Sequence, residues 1–250
     1  TGLLPVCLGE ATKFSSFLLE SDKSYEASIK LGFISSTGDS EGEIESLKIK
    51  KLPTLKEVQK VINNFVGYQE QLPPMFSALK FKGKPLYEYA REGENIDRKK
   101  RKININSLTI KEYKDNIINI NVSCSKGTYI RVLANDIGTS LKTGAYLVGL
   151  RRLTIGRITI KEATEIDLIK GMDDQEKKEL IQPIDTLIRE FGTITLEDKD
   201  VVDIKNGKKL LLKNYNEGIY RLYANKDIFL GIGSLDSYGY LKVKRLRATN

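Results

Sequence analysis

Apolar and polar residues alternate in the middle of the chain, and the spacing of the apolar residues then changes. From 117 to 124 the apolar side chains of Ile118, Ile120, Val122 and Cys124 occupy every second position, which is typical of a half-buried strand. After a turn at 125–128, apolar residues recur with helical spacing, at Ile130, Leu133, Ala134, Ile137 and Leu141. This region is therefore predicted to form a strand, a tight turn and an amphipathic helix.

The turn and the start of this helix carry Lys126, Tyr129 and Arg131. A helix N-terminus has a partial positive charge, so a cation there needs an anionic partner. Arg131 is therefore expected to face a carboxylate or a phosphate. Two alternatives stay open at this point: a structural Asp or Glu, or a negative group in a functional site.

Other stretches predict the elements around this centre. Residues 25–33 alternate like a strand that begins at Tyr25, and Thr54 with Glu57 forms a capping box at a helix start. From about residue 193 the pattern changes to short strands separated by turns, with a basic end. The chain is thus predicted to end in a small β-rich domain.

Composition narrows the possible functions. The 250 residues have a formal net charge of +8 and a pI of about 9.2, which favours a polyanionic partner such as nucleic acid. The chain has no histidine, so His-based metal sites and triads with a His base are excluded. No apolar run approaches membrane-spanning length. Cys7 and Cys124 are predicted to be free core thiols of a reducing compartment.

The segment 72–102 mixes aromatic and cationic side chains. It contains Pro73-Pro74, then Phe76, Phe81, Tyr87 and Tyr89 among Lys80, Lys82, Lys84 and Arg91, and it ends in a run of five cations. Rings stack on bases and cations follow phosphates, so this segment indicates RNA binding. A solvated basic hairpin without a ligand is the alternative.

Several motifs, taken in order, resemble the TruB family of bacterial tRNA pseudouridine synthases. The resemblance covers roughly residues 1–190, and it rests on collinear motifs that run from Leu4-Pro-Val-Cys-Leu-Gly-Glu-Ala-Thr-Lys13 through Met75-Phe-Ser-Ala-Leu-Lys80 and Cys124-Ser-Lys-Gly-Thr-Tyr-Ile-Arg131 to Leu150-Arg-Arg-Leu153. The last part of the chain is similar to the PUA-type RNA-binding domain that follows in this family.

The resemblance implies an α/β (α+β) fold, with a catalytic domain at 1–190 around a mixed, largely antiparallel sheet. It also implies an RNA clamp at 72–102 and a PUA-like domain at 191–250. The expected activity is isomerisation of a T-loop uridine of tRNA (psi55) to pseudouridine by base flipping, without metal or organic cofactor. The expected protein is a cytoplasmic monomer that binds the T-stem-loop of tRNA.

The same motifs imply roles for individual residues. Tyr25 matches the tyrosine that stacks on the target uracil, and Arg131 matches the arginine that pairs with the catalytic aspartate. The expected substrate-binding residues are Lys13, Lys80, Lys126, Tyr129 and Leu150.

One departure concerns the nucleophile. The family motif ends in Thr-Gly, which matches Thr1-Gly2, so the nucleophilic aspartate would precede Thr1; Asp22, Asp39 and Asp136 match other positions. The chain is therefore expected to be inactive alone, with Arg131 lacking a carboxylate partner. A non-catalytic RNA-binding or tRNA-folding module is the alternative function.

Overall fold

The computed structural model describes residues 1–225 and 227–248. The chain divides into two compact units. The first contains Thr1–Leu3 and Asp22–Ile155, and the second contains Leu4–Ser21 and Gly156–Asn250. Residues 4–21 and 156–190 thus pack with the later part of the chain. These compact units have other bounds than the domains 1–190 and 191–250 that the family resemblance predicts. The two domains therefore stay a prediction.

The strands were numbered in chain order. They are β1 (Lys23–Leu31), β2 (Phe33–Ser35), β3 (Ile44–Ser46), β4 (Gly67–Gln71), β5 (Lys80–Phe81), β6 (Lys84–Pro85), β7 (Arg101–Lys114), β8 (Ile117–Cys124), β9 (Ala145–Ile155), β10 (Ile158–Thr159), β11 (Gly192–Leu196), β12 (Leu210–Leu211), β13 (Gly218–Ala224), β14 (Ile228–Leu235) and β15 (Tyr240–Leu246).

The helices are short. The α-helices are α1 (Ser15–Glu20), α2 (Leu55–Asn63), α3 (Leu86–Arg91), α4 (Ile130–Ser140), α5 (Ile166–Gly171), α6 (Asp174–Glu179) and α7 (Asp198–Lys205), and the 3-10 helices span Gly9–Phe14, Ile160–Glu162 and Ile184–Ile188. The capping box predicted before α2 is confirmed, because the Glu57 amide donates to Thr54 Oγ1 and the Thr54 amide donates to Glu57 Oε2.

In the first unit, strands lie in the order β9, β1, β8, β7 and β4, and each neighbouring pair is antiparallel. The alternation in β8 buries Ile118, Ile120, Val122 and Cys124. Helix α4 buries Ile130, Leu133, Ala134 and Ile137 in the same hydrophobic core. The predicted strand, turn and helix are therefore confirmed, and so is the mixed, largely antiparallel fold class.

The second unit contains a sheet in the order β11, β13, β14, β15 and β12, in which only the β11–β13 pair is parallel among the described strands. The ring of Phe14 is fully buried and lies 5.4 Å from that of Phe229, centroid to centroid. This aromatic contact helps to fix the early segment Leu4–Ser21 within the second unit.

Within the described residues, no helix is long and apolar enough to cross a membrane. In the same ranges, no cluster of three or more His, Cys, Asp or Glu side chains is arranged to hold a metal ion.

The two cysteines differ in environment. Cys124 is buried and its pKa is raised to about 11, chiefly by burial. Cys7 is only partly buried, so the prediction of a core thiol is wrong for Cys7. The difference follows from position, because Cys124 lies on the inner face of β8 and Cys7 lies in an irregular segment before the first helix.

This difference predicts selective alkylation. The thiolate is the reactive form, and at pH 8 a thiol with a pKa of 11 is ionised to about one part in a thousand. Iodoacetamide should modify Cys7 in the native protein and leave Cys124 intact, and both should react in denaturant. Peptide mass spectrometry measures this; equal native rates would contradict the burial of Cys124.

Candidate functional site

Arg131 lies in the first turn of α4 and donates to two loops. Its Nη1 lies 2.9 Å from Asp39 Oδ2, and its Nη2 lies 2.6 Å from the Phe76 carbonyl oxygen. The expectation that Arg131 would lack a carboxylate partner is therefore wrong. Both side chains of the pair are about a quarter exposed, at 26% and 23%, so water screens their attraction only in part.

The Asp39 carboxylate is held by several donors. Its Oδ1 accepts from Thr37 Oγ1 at 2.6 Å and from the Glu41 amide at 3.1 Å, while Oδ2 faces Arg131. The loop approaches α4 closely, since a Cβ at Gly38 would lie 3.4 Å from the Arg131 Cβ. A carboxylate engaged in this way is suited to orient Arg131 and is poorly placed to act as a free nucleophile.

Gln71 joins the end of β4 to the start of α4. Its side chain is buried, with 4% exposure, and makes both hydrogen bonds with the Tyr129 backbone. The Tyr129 amide donates to Gln71 Oε1 at 2.8 Å, and Gln71 Nε2 donates to the Tyr129 carbonyl at 3.1 Å. Gln71 is not among the residues predicted from the sequence, and its place directly before the Leu72-Pro-Pro break is the signal that could have indicated it.

Tyr25 lies in β1, opposite Val122 of β8 and Arg152 of β9. Its side chain packs partly against the core of the first unit. Burial raises the pKa of the Tyr25 hydroxyl, and Cys124 adds to this, while the nearby Arg152 guanidinium opposes it. Tyr25 is therefore a neutral phenol at pH 7, and Arg152 is a site residue that sequence reasoning did not assign.

The backbone of Thr1–Leu3 runs beside β9. The Leu3 amide donates to the Arg152 carbonyl at 2.9 Å, and the Arg152 amide donates to the Thr1 carbonyl at 3.2 Å. Gly2 has φ +98°, and a Cβ there would lie 2.4 Å from the Arg152 carbonyl oxygen, so only glycine fits. The Thr-Gly end of the motif is thus fixed next to the strand that borders Tyr25.

Leu150 lies on β9 opposite Ala27 and packs against the same core as Tyr25. Its carbonyl accepts a hydrogen bond from the Thr1 ammonium at 2.9 Å. A cavity of about 600 Å³ beside it is lined by Thr1, Leu150 and both polar and apolar residues of β1, β7, β8 and β9. Tyr25 and Arg131 do not line this cavity.

Tyr25 and the Asp39 loop meet β9 at different positions. Tyr25 pairs with Arg152, whereas the Asp39 loop that holds Arg131 meets β9 at Leu147. A rise of about 3.3 Å per residue separates these two positions by roughly 16 Å along β9. Leu150 therefore lies on β9 between the residue paired with Tyr25 and the residue bridged to Asp39, and no hydrogen bond of the described residues joins the Tyr25 and Arg131 side chains directly.

The predicted RNA clamp (72–102) contains a hairpin of β5 and β6 with an aromatic side. The rings of Phe81 and Tyr89 lie 6.0 Å apart, centroid to centroid, and Lys84 Nζ lies 4.6 Å from the Tyr89 centroid. Arg131 reaches the base of this clamp through the Phe76 carbonyl. A hydrogen bond therefore joins the clamp to the first turn of α4.

The predicted lysines lie in different places. Lys80 is in the clamp hairpin, opposite Pro85, and Lys126 is exposed in the turn before α4. Lys13 belongs to the second unit, where its Nζ lies 2.8 Å from a Glu10 carboxylate oxygen. Lys80, Lys126, Tyr129 and Arg131 thus share the first unit, and the role predicted for Lys13 stays a prediction.

Comparison with known families identifies the class of protein. Residues 1–130 match the TruB family of pseudouridylate synthases (N-terminal domain), and residues 192–246 match the C-terminal domain of pseudouridine synthase II TruB. The chain belongs to the TruB family of pseudouridine synthases.

Relatives named tRNA pseudouridine synthase B are similar over most of their length. The protein of Methylobacillus flagellatus is 42% identical over 247 residues, which are 98% of this chain and 82% of that protein. The protein of Nitrosomonas europaea is 42% identical over 240 residues, which are 93% of this chain and 78% of that protein.

Solved structures share the fold at low identity. A Cbf5-Nop10-Gar1 complex matches with a TM-score of 0.71 and 19% identity, covering 99% of this chain and 73% of that chain. An H/ACA RNP bound to a substrate RNA containing 2′-deoxyuridine matches with a TM-score of 0.69 and 18% identity, with the same two coverages.

The Arg131–Asp39 pair predicts a measurable coupling. An exposed ion pair contributes about 0–1 kcal/mol to the free energy of unfolding, and breaking a buried ion pair costs roughly 3–5 kcal/mol. An ion pair that is a quarter exposed should therefore give a coupling energy of about 1–2 kcal/mol. Urea unfolding of Arg131→Met, Asp39→Asn and the double variant measures it as a double-mutant cycle. Lys111→Met with Glu26→Gln, a more exposed pair, is the matched control. A coupling no larger than that of the control would contradict a structural role for the pair.

Proposed function

We propose that this chain provides the RNA-binding and uridine-positioning machinery of a tRNA pseudouridine synthase that modifies the T-loop uridine psi55. The observation that carries the proposal is the membership of the TruB family together with relatives named tRNA pseudouridine synthase B over nearly the whole chain. The pairing of Tyr25 with Arg152 on β9, and the orientation of Arg131 by Asp39 and the Phe76 carbonyl, support it.

The reaction is an isomerisation with balanced atoms. The bond from ribose C1′ to uracil N1 breaks, a bond from C1′ to C5 forms, C5 loses its proton and N1 gains one. No electrons are supplied or removed, so the chemistry itself requires no redox cofactor. We propose that the nucleophilic carboxylate is the motif aspartate that the resemblance places before Thr1, and that no metal or organic cofactor takes part.

Tyr25 acts on the base as a neutral phenol. Its raised pKa disfavours a phenolate at pH 7, so stacking on the uracil and relaying the C5 proton through the hydroxyl are the proposed roles. Arg152, whose charge opposes that shift, limits how far the pKa rises. Leu150 supplies the apolar side of the base pocket beside Tyr25.

Arg131 acts as a fixed positive charge near the scissile bond. Its guanidinium is oriented by Asp39 and by the Phe76 carbonyl, so it requires little reorganisation when a second carboxylate or a substrate oxygen approaches. Tyr129 and Lys126 precede it at the same helix start and are proposed to contact the RNA.

The clamp at 72–102 binds the T-stem-loop, with Lys80 on phosphate and the aromatic side chains near the loop. Lys13 is proposed as a further contact to the RNA. We further propose a cytoplasmic monomer with a catalytic domain at 1–190 and a PUA-like domain at 191–250; the match of residues 192–246 to the C-terminal family domain supports a separate domain there.

The alternative is a non-catalytic RNA-binding or tRNA-folding module. It is favoured by one observation, that the Asp39 carboxylate already accepts hydrogen bonds from three donors, one of which is Arg131.

Release of tritium from tRNA labelled at uridine C5 separates the two functions. Residues 1–250 and the same chain preceded by the family's upstream segment are assayed in parallel, with an Asp→Asn form of that segment as the control. The proposal fails if the extended chain binds tRNA without tritium release.

Variants of Tyr25 should separate stacking from proton transfer. In the extended chain, Tyr25→Phe should keep tRNA affinity and slow tritium release, because the ring remains and the hydroxyl is lost. Tyr25→Leu should also weaken binding, since stacking contributes roughly 1–3 kcal/mol per base. Wild-type turnover of Tyr25→Leu would show that Tyr25 has only a packing role.

Binding of a T-stem-loop hairpin should depend steeply on salt. A protein making about 6–10 phosphate contacts loses roughly 10³–10⁵ in affinity between 50 and 200 mM salt. Fluorescence anisotropy on residues 1–250 measures this, and Lys80→Gln should lower the salt slope by about 0.9. Lys56→Gln, an exposed lysine of α2, is the matched control. Equal slopes for the two variants would contradict a phosphate contact at Lys80.

A further inference from the structure

The start of α4 lacks the side chains that usually hold a helix start in place. Tyr129 is the N-cap residue, and its own side chain makes no capping hydrogen bond. In a capping box, a Glu or Gln at the third helical position accepts a hydrogen bond from the N-cap amide, as Glu57 does at α2. The third helical position of α4 is Val132, whose side chain has no acceptor. The N-cap amide of α4 therefore needs an acceptor from another part of the chain.

Gln71 of β4 supplies that acceptor from 58 residues earlier in the chain. Its Oε1 accepts from the Tyr129 amide at 2.8 Å, which is the contact that a capping box would make. Its Nε2 donates to the Tyr129 carbonyl at 3.1 Å, and this carbonyl also accepts the first helical hydrogen bond, from the Leu133 amide at 3.1 Å. Both lone pairs of the carbonyl oxygen are then used. The first turn of α4 is thus tied to the end of β4.

The position of the Gln71 side chain makes these two hydrogen bonds hard to replace. It is 4% exposed, so water has little access to a backbone group that loses its partner. Glutamine ends in one acceptor and one donor, whereas an ionised glutamate has acceptors only and methionine is at most a weak acceptor. The start of α4 therefore requires a side chain with both functions at position 71.

The position of Arg131 depends on that of Tyr129, because Arg131 follows it at the second position of the same helical turn. The Arg131 guanidinium lies 2.9 Å from Asp39 Oδ2 and 2.6 Å from the Phe76 carbonyl oxygen. A shift of the helix start by about 1 Å away from these groups would carry both contacts beyond hydrogen-bond distance. The contacts of the guanidinium thus require that the first turn of α4 be held in place.

From this geometry we propose that Gln71 is a positioning residue for the pseudouridine synthase reaction. It holds the start of α4 from β4 and thereby directs the Tyr129 and Arg131 side chains toward the reacting uridine. Gln71 acts through these two residues and has no contact of its own with the substrate. The inference rests on the proposed function for the reaction that is positioned. Because a misplacement of about 1 Å can lower turnover about 10²-fold, loss of Gln71 should lower kcat.

The first test needs no RNA and uses the 250-residue chain. The coupling energy of Arg131 and Asp39 is measured by the urea double-mutant cycle in two backgrounds, Gln71→Met and Gln69→Met. Gln69 is the matched control, because it lies on the same strand and its Nε2 donates to a backbone carbonyl outside α4, at 2.6 Å. The coupling should fall to that of the more exposed control pair in the Gln71→Met background and stay unchanged in the Gln69→Met background.

A purely structural role of Gln71 gives a different result. It would lower the free energy of unfolding of Gln71→Met and leave the Arg131–Asp39 coupling unchanged, which would overturn the proposal. Loss of the coupling in both backgrounds would also overturn it, since any disturbance of β4 would then be sufficient.

The second test measures tritium release by the chain preceded by the family's upstream segment. Gln71→Met should lower kcat about 10²-fold. It should change the affinity for the T-stem-loop hairpin by less than about threefold, because the lysines of the clamp are retained. Gln69→Met should keep both quantities. An equal loss of kcat in Gln69→Met, or a loss of affinity in Gln71→Met as large as its loss of kcat, contradicts a positioning role.

Gln71→Glu adds a pH profile to this test. A protonated carboxyl has one donor and one acceptor, like the amide, and burial raises its pKa. The kcat of this variant, divided by that of the unmodified extended chain at the same pH, should therefore be near one below that pKa. It should fall as the pH rises through the pKa, because the carboxylate cannot donate to the Tyr129 carbonyl. A ratio that stays constant with pH overturns the proposal.

These measurements distinguish failure of this inference from failure of the proposed function. If the unmodified extended chain releases tritium and Gln71→Met releases it at the same rate, the inference fails and the proposed function stands. If the unmodified extended chain releases none, the proposed function fails, and loss of the coupling in the Gln71→Met background alone still supports the positioning of Arg131 by Gln71.

Discussion

The contacts of the Arg131 guanidinium are the constraint on which the first unit's site depends. A cation at a helix N-terminus is unfavourable by itself, and here it is stabilised by a carboxylate and two backbone carbonyls from separate loops. Asp39 and Phe76 belong to different segments, so the orientation of the Arg131 guanidinium depends on the position of both segments. The guanidinium at the start of α4 is therefore held by the Asp39 loop and by the first residues of the clamp together.

Two further constraints fix the surroundings of this charge. Gln71 makes one hydrogen bond to the Tyr129 amide and one to the Tyr129 carbonyl, so the start of α4 cannot shift away from the end of β4 without breaking them. Elsewhere in the first unit, beside the Arg152 that pairs with Tyr25, Gly2 allows Thr1–Leu3 to lie against β9 at a distance that any Cβ would prevent. Preorganisation of this kind matters because an oriented charge contributes most when it need not move during the reaction.

Much of the fold can be predicted from the local pattern of apolar and polar residues. The partner of Arg131 in the candidate site cannot. Alternation in β8 and helical spacing in α4 predicted both elements, and the helix dipole predicted that Arg131 needs an anion. The identity of that anion depended on the loop around Asp39, whose conformation is set by Thr37 and Glu41 hydrogen bonds that no periodicity reveals. The packing of Leu4–Ser21 with the second unit depends on contacts between residues far apart in sequence, which local patterns do not predict. The burial of Gln71 could not be predicted either, because nothing in the sequence distinguishes it from an exposed glutamine in a loop.

In the proposed function, binding and chemistry use different residues, and the requirements for charge explain this division. Flipping a uridine out of its stack costs a few kcal/mol, and this cost must be offset by contacts made elsewhere on the RNA. The reacting base needs few groups, namely an aromatic ring, an oriented cation and a carboxylate. That offset would come from many phosphate contacts, for which the net charge of +8 and the lysines of the clamp hairpin are available. Each such contact is weak and screened by salt, so their number, rather than any single lysine, determines whether the base can leave the stack.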